Sequence, residues 1–348
     1  MILLLFVSMS GTVIAEDTRI VTDMAGKEVT LPGTGATYAT LGGPLSQLPY
    51  LYGAGDQVVA MSAGGDSPLM LKMDPSISQK PIVRNGMTNI NIEELLKTEP
   101  SAAIAFLPDG QLIQAKTKIP VIYYTGSMSD TFDDIKSQVT LFGGIFNNPE
   151  KAEKYNSYVD KTLQFIHERT ADLGPDEKNQ IFLGEGALHM ASVGGDTFVS
   201  YCMEAAALTN AVVTIQSAQS KQEGLHSGFT EIPMENILWA DPDIIMIDTG
   251  IPDDLTKDPQ WKEISAVKEG KVFIRPSGLF TWSRPSIESA ALFPLWMAVK
   301  AYPDKFQDVS LEDEFKQFYL EFFDLELTDT EVANIISGEY TAILPKTT

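Results

Sequence analysis

The amino-acid sequence predicts an α/β fold with two Rossmann-like lobes joined by one long linker helix. A long amphipathic helix lies near the middle of the 348 residues, between Asn148 and Leu173. A similar helix–strand unit occurs once on each side of it, near 93–106 and near 235–247. Hydrophobic residues make up 44% of the chain, which is ample for two cores at this length.

The central helix carries its own start and stop signals. Asn148 can cap its first turn, Pro149 suits its first position, and Glu150 complements the positive end of its dipole. Gly174 and Pro175 end it. Apolar residues recur at spacings of three and four, as in an amphipathic helix, at Ala152, Tyr155, Val159, Leu163 and Ile166.

The repeated unit predicts the same structure on both sides of this helix. One copy has Glu93 near the start of a helix, Glu99-Pro100 at its end and a small apolar run behind it. The other copy has Glu235, Asp241-Pro242 and a second apolar run in the same order. Each copy therefore predicts a short helix followed by a buried strand.

These signals divide the chain into segments. Residues 1–15 resemble a signal peptide, with an apolar run and a Val-Ile-Ala sequence that resembles a cleavage site, although the usual positive start is missing. A buried first strand is the alternative, and whether the segment is cleaved or acts as an anchor stays open. The predicted N-terminal lobe is 16–147, the linker helix 148–173, and the C-terminal lobe 174–348 with its terminal helices.

Charge and cysteine content limit the function classes. A formal net charge of −22 argues against nucleic acid and anionic membrane surfaces as partners, because both attract clustered Lys and Arg. Cys202 is the only cysteine, so no disulfide can form within the chain. Its apolar neighbours predict a core helix. Loops that follow the predicted strands are rich in glycine, and ligands of open α/β sheets gather at such carboxyl ends.

Four stretches together resemble the periplasmic binding proteins for iron-siderophores, haem and cobalamin. They are Val21–Val29, Asn91–Leu95, Met234–Asp248 and Trp261–Ser277. The resemblance implies a ligand cleft between two lobes bridged by a rigid helix, and a monomeric, exported protein in the periplasm or on the outer face of the cytoplasmic membrane. It also implies delivery of the ligand to the permease of an ABC transporter with its ATPase. It implies no catalytic residue and no intrinsic cofactor.

The resemblance assigns a docking role to the repeated glutamates. In this family one glutamate on each lobe meets an arginine pocket of the permease, and Glu93 and Glu235 match those positions. Glu94 is an alternative to Glu93. A favourable interaction with the helix dipole is the purely structural explanation for both acids.

Ligand-binding residues are expected in the loops that the family turns toward its cleft. Arg284 and Trp282 could together hold a carboxylate and a flat or apolar group. Arg84 is the counterpart in the first lobe, and structural salt bridges are the alternative for either arginine. The remaining candidates lie in loops of the second lobe: Glu185, His189 and His226.

The cargo is expected to be a metal chelate, with a ferric siderophore first and haem or cobalamin as alternatives. Only three histidines are present, too few for a receptor of bare zinc or manganese. Haem could use His189, His226 or Tyr123 as an axial ligand. Direct contact between metal and protein stays open.

Two other classes compete with a receptor. A chelatase-like enzyme would need Glu185 and His189 to converge on a metal, and the sequence lacks a nucleophile elbow, a P-loop and a dinucleotide fingerprint. A metal store would bind several metals per chain, whereas a receptor binds one ligand.

Overall fold

The first lobe is built on a mostly parallel sheet of buried apolar strands. The computed structural model of the protein describes residues 17–86, 89–186, 188–214, 229–248 and 252–340. The sheet has the strand order β6-β5-β4-β3-β7-β8, with β6 antiparallel to β5 and the other pairs parallel. The strands are β3 Tyr38–Leu41, β4 Val58–Ser62, β5 Ile82–Asn85, β6 Asn89–Ile90, β7 Ala102–Phe106 and β8 Val121–Tyr124. A separate antiparallel hairpin pairs β1 Thr18–Thr22 with β2 Glu28–Pro32.

Helices of the first lobe connect these strands. They are α1 Leu48–Leu51, α2 Pro68–Met73, α3 Ile92–Lys97, α4 Leu107–Lys116 and α5 Phe132–Ile145. Helix α5 has a reciprocal capping box, in which Thr131 and Asp134 each satisfy the other's backbone N–H.

The linker helix α6 spans Pro149–Thr170, so the predicted helix is confirmed and ends three residues early. The Asn148 side chain accepts a hydrogen bond from the backbone of Lys151 at 3.3 Å, which caps the first turn. The side chain of Tyr155 is fully buried, and its hydroxyl donates to the Ile287 carbonyl at 2.8 Å. The linker is therefore fixed to the second lobe along one face.

The second lobe contains a fully parallel four-stranded sheet in the order β11-β9-β13-β14. Its strands are β9 Gln180–Gly184, β11 Thr209–Asn210, β13 Ile244–Ile247 and β14 Val272–Ile274. A short antiparallel pair joins β10 Ala191–Val193 to β12 Phe229–Glu231. The helices are α7 Phe198–Ala205, α8 Ala211–Thr214, α9 Met234–Ala240, α10 Pro252–Lys257, α11 Ser265–Lys268, α12 Ile287–Ala301, α13 Leu311–Phe323 and α14 Asp329–Ile336.

The last two helices cover the linker and reach back to the first lobe. Tyr155 and Phe322 pack edge to face with their ring centroids 5.6 Å apart. Lys72 on α2 pairs with Glu331 on α14 at 2.6 Å. Contacts other than the linker thus join the two lobes, which favours small changes in their relative tilt.

The repeated helix–strand unit has the same backbone geometry in both lobes. Helices α3 and α9 each lead into a buried parallel strand, β7 and β13. Each helix is followed by a non-glycine residue in the left-handed region, Glu99 at φ 42° and Asp241 at φ 41°, and then by proline. The α/β fold with two lobes is therefore confirmed.

Three further findings concern the signal peptide, membrane spans and the single cysteine. The predicted signal peptide lies outside the described residues. Among the helices that the structure does describe, none combines the length and the apolar character needed to cross a membrane. Cys202 is fully buried in α7, as its neighbours predicted.

Candidate functional site

Three neighbouring strands of the second sheet are each followed directly by a charged residue. In the parallel register, Gly184, Ile247 and Ile274 lie side by side as the last residues of β9, β13 and β14. The next residues along the chain are Glu185, Asp248 and Arg275. Because the carboxyl ends of parallel strands meet at one edge, these three side chains form the base of a single site.

Arg275 is the most deeply buried member of this site, with its side chain 3% exposed. One terminal nitrogen of its guanidinium binds Glu185, and the other donates to the hydroxyl of Thr281 at 2.9 Å. Its backbone N–H donates to the Ile247 carbonyl at 2.8 Å. Sequence analysis did not select this residue, although a charge directly after each of three buried strands was a visible signal.

Arg284 lies on the other side of Glu185 and is the more exposed arginine, at 22% of its side chain. Its guanidinium lies 3.6 Å from the carboxylate of Glu185 and donates to the Ser283 hydroxyl at 2.6 Å. Burial lowers the pKa of Arg284; the Glu185 carboxylate opposes that effect and the Arg275 charge adds to it. Glu185 thus holds two guanidinium groups, one covered and one reachable.

His189 and Asp248 complete the charged cluster at this edge of the sheet, whose other members are Glu185, Arg275 and Arg284. The Nδ1 atom of His189 lies 3.8 Å from a carboxylate oxygen of Asp248. Burial would raise the pKa of Asp248, but the His189 imidazole and the Arg275 charge outweigh it and lower that pKa. The carboxylate is therefore ionised at neutral pH. The backbone of His189 is left-handed, with φ 53°, in the tight turn after Glu185.

Arg84 forms the corresponding feature of the first lobe. Its Nε donates to Asp109 at 2.7 Å, and both side chains are largely covered. Arg84 is on β5, whereas Asp109 is on α4, which directly follows β7. Strands β4 and β3 lie between them in the sheet. The pair therefore crosses the carboxyl edge of the first sheet, where a ligand of this fold would bind.

Trp282 does not take the position expected for a ligand-binding residue. It is fully buried, with its ring 5.9 Å from Phe293 and 5.3 Å from Phe315, measured between centroids. The prediction of Trp282 as a ligand contact is wrong for this conformation, because helices α12 and α13 cover its ring. Trp282 anchors the loop that carries Arg284.

That loop also contacts the first lobe. A Cβ atom on Gly43 would lie 2.5 Å from the Phe280 ring, so the glycine allows the ring of one lobe to pack on the backbone of the other. A narrow crevice at the same boundary is lined by Pro44, Leu45 and Tyr124 from the first lobe, and by Pro285 and Ser286 from the second. The crevice is mainly apolar, and Arg284 directly precedes Pro285 of its lining in the sequence.

The remaining candidates are separate from this cluster. Glu93 and Glu235 are exposed on α3 and α9. His226 lies outside the described residues. Within the described ranges, no group of three or more His, Cys, Asp or Glu side chains is placed to hold a metal ion. The chemistry that the site offers is charge pairing and hydrogen bonding through arginine.

Comparisons with known proteins identify the family of this fold. The model of the periplasmic binding protein family matches residues 39–279. Molybdate-binding protein MolA of Haemophilus influenzae is 23% identical, over 91% of this chain and 93% of the relative. Fe(3+)-citrate-binding protein YfmC of Bacillus subtilis is 25% identical, over 79% and 83%. A periplasmic solute binding protein from Veillonella parvula superposes with a TM-score of 0.75 at 24% identity, covering 93% of this chain and 98% of that one.

These relatives are named as solute-binding proteins rather than enzymes, and MolA is described as the periplasmic binding protein of an ABC transporter. The enzyme alternative is thereby set aside. The family match covers well over half of the sequence. The chain therefore belongs to the periplasmic binding protein family.

Proposed function

We propose that the protein captures a small anionic, metal-containing solute and delivers it to its ABC permease. The observation that carries the proposal is the row Arg275, Glu185 and Arg284 at the carboxyl edge of the second sheet, with Arg284 partly exposed. A guanidinium held by a carboxylate and a serine is preorganised to bind an oxyanion through two parallel hydrogen bonds. Arg84, held by Asp109, would supply the matching positive charge from the first lobe.

A compact anion suits this site better than a bulky chelate. The arginine side chains are 3% to 22% exposed, which leaves room for contact with a few oxygen atoms. The likeness to a molybdate-binding protein supports a metal oxyanion as the ligand. The likeness to an Fe(3+)-citrate-binding protein supports a second candidate, a small anionic iron chelate. A ferric siderophore, haem or cobalamin requires a wider opening of the cleft.

Each candidate residue has a distinct role in this proposal. Arg284 contacts the ligand, Arg84 closes on it from the other lobe, and Glu185 positions Arg284. His189 contributes its imidazole ring beside Asp248. The division into lobes at 16–147 and 174–348, with the linker between them, belongs to the same proposal.

Isothermal titration of the purified protein with molybdate, ferric citrate, a ferric siderophore, haemin and cobalamin tests the ligand class. We expect one molybdate per chain with submicromolar affinity. Arg284→Ala should weaken binding about 30-fold, since a charge-assisted hydrogen bond contributes about 2 kcal/mol. Arg284→Lys should recover only part of the loss, because lysine lacks the planar fork.

The matched control is Arg169→Ala on the linker, which removes the same side chain from the Asp308 pair, away from the cluster. Its affinity should equal that of the wild type. Tight binding of ferric citrate without molybdate would select the second candidate. Binding of only haemin, cobalamin or a siderophore, or equal affinity of the Arg284→Ala variant, would contradict the proposal.

Glu93 and Glu235 are proposed as the two points of contact with the permease. Both are exposed, in the first turn of equivalent helices on the two lobes. Exchange of both for alanine should leave ligand affinity intact and abolish uptake of the labelled ligand by cells. Charge pairs at an interface act chiefly on encounter and orientation, so single exchanges should retain part of the uptake. Normal uptake by the double variant would refute the docking role.

A further inference from the structure

Large apolar side chains are exposed on the two helices that carry the docking glutamates. Leu96 on α3 is 46% exposed, and Leu238 and Trp239 on α9 are 37% and 72% exposed. Within the described ranges, Trp239 is the most exposed large hydrophobic residue. Tryptophan is rarely left so open on a monomer without a partner, because its large apolar area favours burial.

The exposed residues occupy equivalent positions on the two lobes. Leu96 follows Glu93 by three residues, and Leu238 follows Glu235 by three. In each helix the residue before the exposed leucine, Leu95 or Ile237, is fully buried and fixes the rotation of the helix. Residues three apart share one side of a helix, so each glutamate has an exposed leucine beside it.

The next position distinguishes the two lobes. The first lobe has Lys97, which pairs with Glu94 at 2.9 Å and keeps that surface charged. The second lobe has Trp239 at the equivalent position. Glu235 on the second lobe therefore has two exposed apolar neighbours, Leu238 and Trp239, whereas Glu93 on the first lobe has one, Leu96.

We propose that Leu96 on one lobe, and Leu238 with Trp239 on the other, bind the outer surface of the ABC permease beside the two glutamates. The inference rests on the docking role proposed for Glu93 and Glu235. A permease with two similar halves fits two equivalent patches. On each half, an apolar depression rimmed by basic residues would complement a glutamate next to an exposed leucine. Buried tryptophan commonly dominates such an interface, so Trp239 is the principal anchor.

The test measures binding of the ligand-free protein to the permease–ATPase complex of its own host, reconstituted in nanodiscs. We expect Trp239→Ala to weaken binding about 30-fold and Leu96→Ala about 5-fold, as for a central and a peripheral contact. Trp239→Lys introduces the residue type that the first lobe has at the equivalent position, Lys97, and should also weaken binding. The matched control is Leu320→Ala, which removes a leucine that is 50% exposed on α13 and should bind normally.

The variants separate failure of this inference from failure of the docking proposal. If Glu93→Ala with Glu235→Ala loses binding while both Trp239 variants bind within twofold of the wild type, the docking role stands and the apolar contact is wrong. If the double glutamate variant and both Trp239 variants bind normally, the docking role and the apolar contact are both wrong. Thermal unfolding and ligand titration of each variant establish that its fold is intact, which an exposed position predicts.

Discussion

Arg275→Ala should lower the free energy of unfolding by about 3–5 kcal/mol, because it leaves the largely buried Glu185 carboxylate without its covered partner. The same change removes the donor that binds Thr281 in the loop carrying Arg284. Denaturation in urea at pH 7 measures the loss. Ligand affinity should fall as well, since the partly exposed guanidinium of Arg284 then loses the support of a fixed carboxylate.

Two comparisons test this explanation. Arg169→Ala removes a partly exposed arginine whose partner Asp308 is 69% exposed, so it leaves no buried carboxylate unpaired and its effect on unfolding should be smaller. Arg275→Met combined with Glu185→Gln removes both charges and should recover part of the stability lost by Arg275→Ala. A cost below about 1 kcal/mol for Arg275→Ala, or no recovery in the double variant, would show that the pair does not organise the site.

Elements fixed by local patterns could be predicted from the sequence. The linker helix was recognised from its cap and its spacing, and the buried strands from short apolar runs. The repeated unit was visible because both copies place an acid before proline. These signals depend on neighbours in the chain, so no knowledge of the packing was needed.

Features that depend on distant contacts could not be predicted. Trp282 lies in a loop by sequence, and only the position of Phe315 on α13 shows that the ring is buried. The pairing of Arg84 with Asp109 depends on the order of β5 and β7 in the sheet. Arg275 is different, since a charge directly after each of three buried strands is a local signal that could have indicated it.

Glu288 should make the stability of the protein fall as the pH rises from about 5 to about 7. This carboxyl is fully buried at the start of α12, where it accepts hydrogen bonds from the backbone N–H groups of Leu279 and Phe280 at 2.8 Å and from the Tyr319 hydroxyl. Burial raises its pKa from 4.5 to about 7, although these three donors act in the opposite direction. The folded protein therefore holds this proton more tightly than the unfolded chain.

The sign of the effect follows from linkage. Stabilisation by the bound proton is complete below pH 4.5, the ordinary value, and is lost as the pH passes about 7, the value in the folded protein. The difference amounts to roughly 3 kcal/mol at most. Urea denaturation at several pH values from ~4 to ~8, a range that brackets both pKa values, measures this difference. The Glu288→Gln variant should lose stability overall, because an amide offers only one acceptor to three donors, and should also show a flatter pH profile.

The outcome bears on the ligand site, because Glu288 fastens the turn that places Phe280 against Gly43 of the other lobe. An exposed carboxyl, Glu312, provides the matched control, and Glu312→Gln should follow the wild-type pH profile. Tyr319→Phe removes one donor from the ionised carboxylate. It should therefore lower the free energy of unfolding at high pH and leave it unchanged at low pH. Parallel profiles for the wild type and Glu288→Gln would show that this buried carboxyl does not titrate in the range. In that case the carboxyl keeps one protonation state throughout the range, and any pH dependence of stability has another origin.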